Sequence, residues 1–185
     1  WFKNLKIKTK LLISFLIVAF ITGVVGFVGM IKLQQTDESD TFLYEKNTLS
    51  LAIIGDLRSD FLRQRMNVLE AIIFAKDINK RQDAIKKMKE RDASINKNIP
   101  EYEKTYSDEN DIKLFEEFKN AWNDYLPDRD KILTMSETSI DEALLYFRGD
   151  YDVKVTKTRD LLEKISTGNE KSAKERSDLN SEQAR

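Results

Sequence analysis

Two arginines are the residues of this chain best placed to do chemistry. Arg58 and Arg65 lie one heptad apart, on a helical seam otherwise filled by Leu51, Ile54, Phe61, Val68, Ile72 and Ala75. A guanidinium on such a seam must be paired, hydrated or bound to an anion, because burying an unpaired charge is very costly. Its planar fork suits a carboxylate, which it can hold through two parallel N–H donors. The blander alternative pairs both arginines with acids such as Asp60 or Glu163, or with a second copy of the chain. Little other chemistry is open. The 185 residues include no His and no Cys, which excludes a thiolate nucleophile, a Ser-His triad, a Cys/His zinc site and a disulfide framework. The Glu-x-x-His pairs of di-iron bundles are excluded too, so no cofactor and no metal is expected. Carboxylates are plentiful but scattered on solvated faces, as in most charge-rich helices. Catalysis within this segment is not expected.

The elements that must position these arginines are helices. After Lys32 there is no Gly or Pro until Gly55, and apolar residues recur at three- and four-residue spacing. The first stripe stops near Lys76-Asp77-Ile78-Asn79. A second runs through Ile85, Met88, Ile95, Ile99, Tyr102 and Tyr106, and a third through Ile112, Phe115, Phe118, Trp122, Tyr125 and Ile132. Pro100 and Pro127 fall inside these two helices and predict local kinks or frayed turns. Ser139-Ile140-Asp141-Glu142 reads as a capping box. It opens a fourth stripe of Leu144, Phe147, Tyr151, Val155, Thr158, Leu162 and Ile165. No alternating strand pattern competes, so the chain is all-α.

Helix lengths then set the topology. The first helix beyond Lys32 and the fourth helix each span about 45 residues, roughly 65–70 Å, while the second and third are shorter by over a third. Short connections make neighbours antiparallel, giving a four-helix bundle with two long and two shorter helices. Residues 34–48 and 166–185 are both polar, as expected of a two-helix stalk below the packed core. With turns near residues 77 and 138, positions on the first and fourth helices whose numbers add to about 216 lie level. Arg65 is thereby set beside Tyr151 and Arg58 beside Thr158. Two guanidiniums, a phenol and a hydroxyl at one interface form the candidate ligand site. The paired long stripes also point to a homodimer, with the first helix facing its symmetry mate.

Charge is distributed unevenly along the chain. Residues 1–35 hold five lysines and no acid, whereas the remainder holds 26 basic and 32 acidic side chains. Leu11 to Ile31 is a 21-residue run without a charge, about 31 Å of helix against a hydrocarbon core of ~30 Å. It is longer than a signal-peptide core and has no A-x-A-like exit, so it reads as an uncleaved membrane anchor contacting lipid. Lys3, Lys6, Lys8 and Lys10 precede it, with Trp1 and Phe2 as interfacial aromatics; Asp37, Glu38 and Asp40 follow. The positive-inside rule makes residues 1–10 a cytoplasmic stub and puts 32–185 outside the cell membrane. Gly23, Gly26 and Gly29 either allow close helix approach or are merely tolerated there. Nucleic acid is not an expected partner, since the outer region is net acidic.

The opening Trp1-Phe2-Lys3-Asn4-Leu5-Lys6-Ile7-Lys8-Thr9-Lys10-Leu11-Leu12-Ile13-Ser14-Phe15 and the Ser136–Ala143 turn carry a family resemblance. Over essentially its whole length the chain resembles the N-terminal portion of bacterial methyl-accepting chemotaxis proteins. That resemblance implies a first transmembrane helix, a four-helix-bundle sensor domain and, after Arg185, a second span, a HAMP linker and a cytoplasmic signalling hairpin. In the family's aspartate-sensing receptor, arginines late on the first helix grip the ligand across the dimer, the first within an Arg-x-Asn-Leu stretch. Arg65-Met66-Asn67-Val68 is similar, which implies a ligand role for Arg65 with Asn67 beside it; the next two arginines would fall at Glu70 and Phe74. The leading expectation is a non-enzymatic chemoreceptor sensor for a small organic or amino acid anion, or for an accessory binding protein. Alternatives are the sensor of a membrane histidine kinase or diguanylate cyclase, and a ligand-free coiled-coil spacer.

Overall fold

A computed structural model describes residues 6–183; the aromatic opening Trp1-Phe2, Lys3 and the terminal Arg185 lie outside it. The chain divides into two units, the first ending at Phe42 and the second starting at Leu43. The first unit is helix α1, Ile7–Phe42. Within it Ile7–Asp37 is long and apolar enough to cross a membrane or to serve as a signal sequence, and its apolar side chains have no protein covering them. Hydroxyls within the apolar stretch bond to the helix's own backbone. Ser14 donates to the Lys10 carbonyl at 3.0 Å and Thr22 to the Val18 carbonyl at 2.9 Å, so neither presents an unpaired group to an apolar surround.

The second unit opens with a π-helical turn, Leu43–Thr48, and continues as a bundle of α2 Leu49–Ile73, α3 Ile78–Glu103, α4 Glu109–Thr138, α5 Ile140–Arg148 and α6 Asp150–Gln183. The all-α expectation holds. Each bundle turn is closed by a short polar side chain that caps the next helix. Asp77 accepts from the Lys80 amide at 3.2 Å, Asp108 from the Asp111 amide at 2.8 Å, and Ser139 from the Glu142 amide at 3.2 Å. Pro100 and Pro127 sit inside α3 and α4, and both helices run on through them. The expected fourth helix is two pieces. It stops at Gly149, whose amide reaches back to the Leu145 and Tyr146 carbonyls, both at 3.1 Å, and restarts one residue later.

Packing follows the apolar stripes. α2 lies along α3 and also touches α4, α5 and α6, while α4 packs on α5 and α6. Ile54, Leu57, Phe61, Val68 and Ile72 of α2 meet Phe115, Phe118, Trp122, Tyr125 and Ile132 of α4, and Tyr151, Val155, Leu162 and Ile165 of α6, in one core. Aromatic rings run through it in a chain. Phe147 stacks on Tyr151 at 5.3 Å, Tyr151 meets Tyr125 at 5.3 Å, and Tyr125 stacks on Trp122 at 5.5 Å and meets Phe61 edge-on at 5.2 Å. Beyond Asn169 most of α6 is exposed, yet it stays helical to Gln183.

Candidate functional site

The five residues singled out above are divided by the structure between a partly exposed edge and the core. Arg65 and Arg58 both reach from α2 across to α6, about a third exposed at Arg65 and slightly more at Arg58. Arg65 donates from Nη2 to Asp152 at 2.6 Å, and its guanidinium lies 5.2 Å from the centre of the Phe147 ring. Its Nε is buried with no partner. Arg58 is paired with Glu163 and donates from Nη1 to Ser166 Oγ at 3.4 Å. Both guanidiniums therefore hold carboxylates of the same chain, at an edge that solvent reaches.

Tyr151 and Thr158 point the other way. Tyr151 is fully buried, with its hydroxyl 2.5 Å from that of Tyr125. Thr158 is fully buried and donates to the Lys154 carbonyl at 3.0 Å. Burial first, and then the neighbouring Tyr125, keeps the Tyr151 phenol protonated well above its usual range. Asn67 is buried on α2; two residues on from Arg65, it lies about 200° round the helix and cannot share a ligand with it.

Register explains which acids the arginines meet. Arg65 finds Asp152, one position from the level expected, because its guanidinium turns back over Phe147. Arg58 finds Glu163 rather than Thr158. A helical side chain leans toward its own N-terminus, and on an antiparallel neighbour that direction carries it to higher numbers. Asp152 and Phe147 escaped the sequence reading. The signal for Asp152 was its place beside Tyr151; nothing in the sequence ties Phe147 to a cation.

A second polar cluster ties α3, α4 and α6 together at the other end of the bundle. The Tyr102 hydroxyl donates to buried Asp111 at 2.6 Å and accepts from Asn169 at 2.7 Å, while the Ser107 amide donates to the other Asp111 oxygen at 3.1 Å. Burial, helped by that carboxylate, raises the Tyr102 phenol far above its ordinary value. A third cluster joins α4, α5 and α6. Tyr146 donates to Asp128 at 2.6 Å, and Lys154 sits 3.2 Å from the same carboxylate. The Tyr146 hydrogen bond, more than the lysine, holds Asp128 below the usual carboxylate range.

The second unit is a bundle of antiparallel helices with charged pairs at one edge, and among the described residues there is no metal-holding cluster. The sequence of the chain matches the four helix bundle sensory module for signal transduction over residues 4–184. The chain belongs to that family, the sensory module of the methyl-accepting chemotaxis protein type. No curated protein and no solved structure gives a significant match.

Proposed function

We propose that this sensory module is the extracytoplasmic sensor of a transmembrane chemoreceptor, and that it detects a small organic or amino acid anion at the Arg65–Arg58 edge of α2 and α6. The observation that carries this reading is the Arg65–Asp152 pair, a partly exposed guanidinium and carboxylate at 2.6 Å. Exposed pairs of this kind contribute only about 0–1 kcal/mol, so an external carboxylate offering two acceptors can displace the internal one. Tyr151, Thr158 and Asn67 then support the helices behind the site rather than touch the ligand. An accessory binding protein presenting an acidic side chain would use the same edge.

Two further parts complete the proposal. α1 is an uncleaved anchor with its N-terminus in the cytoplasm, supported by its length, its lack of charge and the lysines before it. The functional unit is a homodimer joined along α2. Leu62, Met66 and Ile73 are about half exposed and Leu69 is partly buried. Their alternating four- and three-residue steps form a coiled-coil seam next to the arginine edge. The ligand acts by binding two packings of the bundle unequally.

The test is a thermal-shift screen of the detergent-solubilised full chain against amino and dicarboxylic acids. The expected result is a stabilising acid whose effect vanishes in Arg65→Ala. Asp152→Asn, which removes the internal competitor, should tighten that acid about two- to fivefold. A stabilising acid that binds Arg65→Ala unchanged would sink the proposed site.

A further inference from the structure

Among the long helices of the bundle, α3 buries the fewest apolar side chains. It buries only Ala84, Met88, Ile95 and Tyr102, with Ile85 and Ile99 partly covered, whereas α2 and α4 bury wide stripes. A ridge one side chain wide does little to fix how a helix is turned about its own axis. Its backbone runs close to α2; to α4 it is joined through side chains.

Midway along that ridge, between Met88 and Ile95, stands Asp92. One carboxylate oxygen accepts from Gln64 of α2 and the other from Arg129 of α4, at 2.7 Å. Gln64 is fully buried and Arg129 is 8% exposed. Arg129 also donates from Nε to Asp130 at 3.0 Å, and its Nη2 lies 2.9 Å from the same oxygen. One turn away, Arg91 of α3 donates to buried Asp60 of α2 at 3.1 Å. The layer is poor value as a source of stability. Burying ions costs several kcal/mol each before pairing returns it, and apolar replacement of such groups is often neutral or stabilising. It also leaves the Gln64 carbonyl oxygen buried without a partner. What it does supply is direction, because two donors from two different helices converge on one carboxylate.

We propose that the Gln64–Asp92–Arg129 clamp, rather than apolar packing, fixes the rotational setting of α3 in the bundle. The three side chains act as positioning residues. Replacing all three by apolar ones leaves a folded bundle in which α3 takes more than one setting. Replacing one alone strands a buried partner.

The absence of cysteine allows a clean test. Spin labels are placed on cysteines introduced at exposed Lys89 of α3 and Lys157 of α6 in the detergent-solubilised full chain, diluted with unlabelled chain. The labelled parent should give one narrow distance. Gln64→Leu/Asp92→Leu/Arg129→Met should keep its helical signal and its unfolding midpoint while the distance broadens or splits. Asp92→Asn, which can still accept from Arg129 and pair with Gln64, should keep the narrow distance. Arg129→Met alone should lower the midpoint by about 10 °C. A triple variant that loses its helix content, or that keeps the parent's single narrow distance, overturns the proposal.

Discussion

Each polar side chain of the bundle does its work through a particular donor or acceptor. Asp111 uses both oxygens, one for Tyr102 and one for the Ser107 amide. Asp111→Ala strands the buried Tyr102 proton and should cost about 2–3 kcal/mol, read as a fall in the urea midpoint followed by circular dichroism. Asp128 predicts a pH response. Its folded value lies below the ordinary 3.8, so the stability it adds is present above about pH 4 and is lost as acid takes the pH down through the lowered value. The carboxylate is partly exposed, so the effect is about 1 kcal/mol at most. Asp128→Asn should flatten that acid limb in a series of urea titrations between about pH 4 and pH 2.

Caps and seams belong to the scale of elements. Ser139 starts α5 by accepting the Glu142 amide, and Ser139→Ala should cost about 1 kcal/mol in the same measurement. The α2 seam makes a different prediction: Leu62→Glu with Met66→Glu should leave the fold intact but convert a dimer to a monomer in sedimentation velocity, since two charges would face their own copies. Much at this scale was legible in the sequence. Asp77 and Ser139 announce two of the turns, because capping is a local chemical requirement. The stop at Gly149 was hidden, since Phe147 and Tyr151 keep a four-residue step straight across it. The π-helical turn at Leu43–Thr48 has no compositional mark at all. The acids that meet Arg58 and Arg65 were within one or two turns of the level expected, and the error has a physical size. An arginine spans more than a helical turn and leans one way or the other according to what it finds.

At the scale of the whole molecule the core is aromatic and its polar atoms are few but deeply placed. Burial is the first cause raising the phenols of Tyr102, Tyr125 and Tyr151 above their ordinary value of 10.0. The stability they confer is complete below that value and is lost as the pH rises beyond it. The bundle should therefore unfold cooperatively in alkali above about pH 10, with these phenolate absorbances emerging together with the loss of helix rather than before it. The central polar layer was the part of the molecule no sequence pattern could disclose. Gln64, Asp92 and Arg129 stand on three helices, and only the turning of α3 makes them neighbours.

The stop at Gly149 has a mechanical corollary. α5 carries the turn from α4, whereas α6 is a single unbroken lever 34 residues long whose opening turn holds Tyr151 and Asp152. On the proposed function, exchange of the Asp152 carboxylate at Arg65 would act just below that stop, on the unbroken helix.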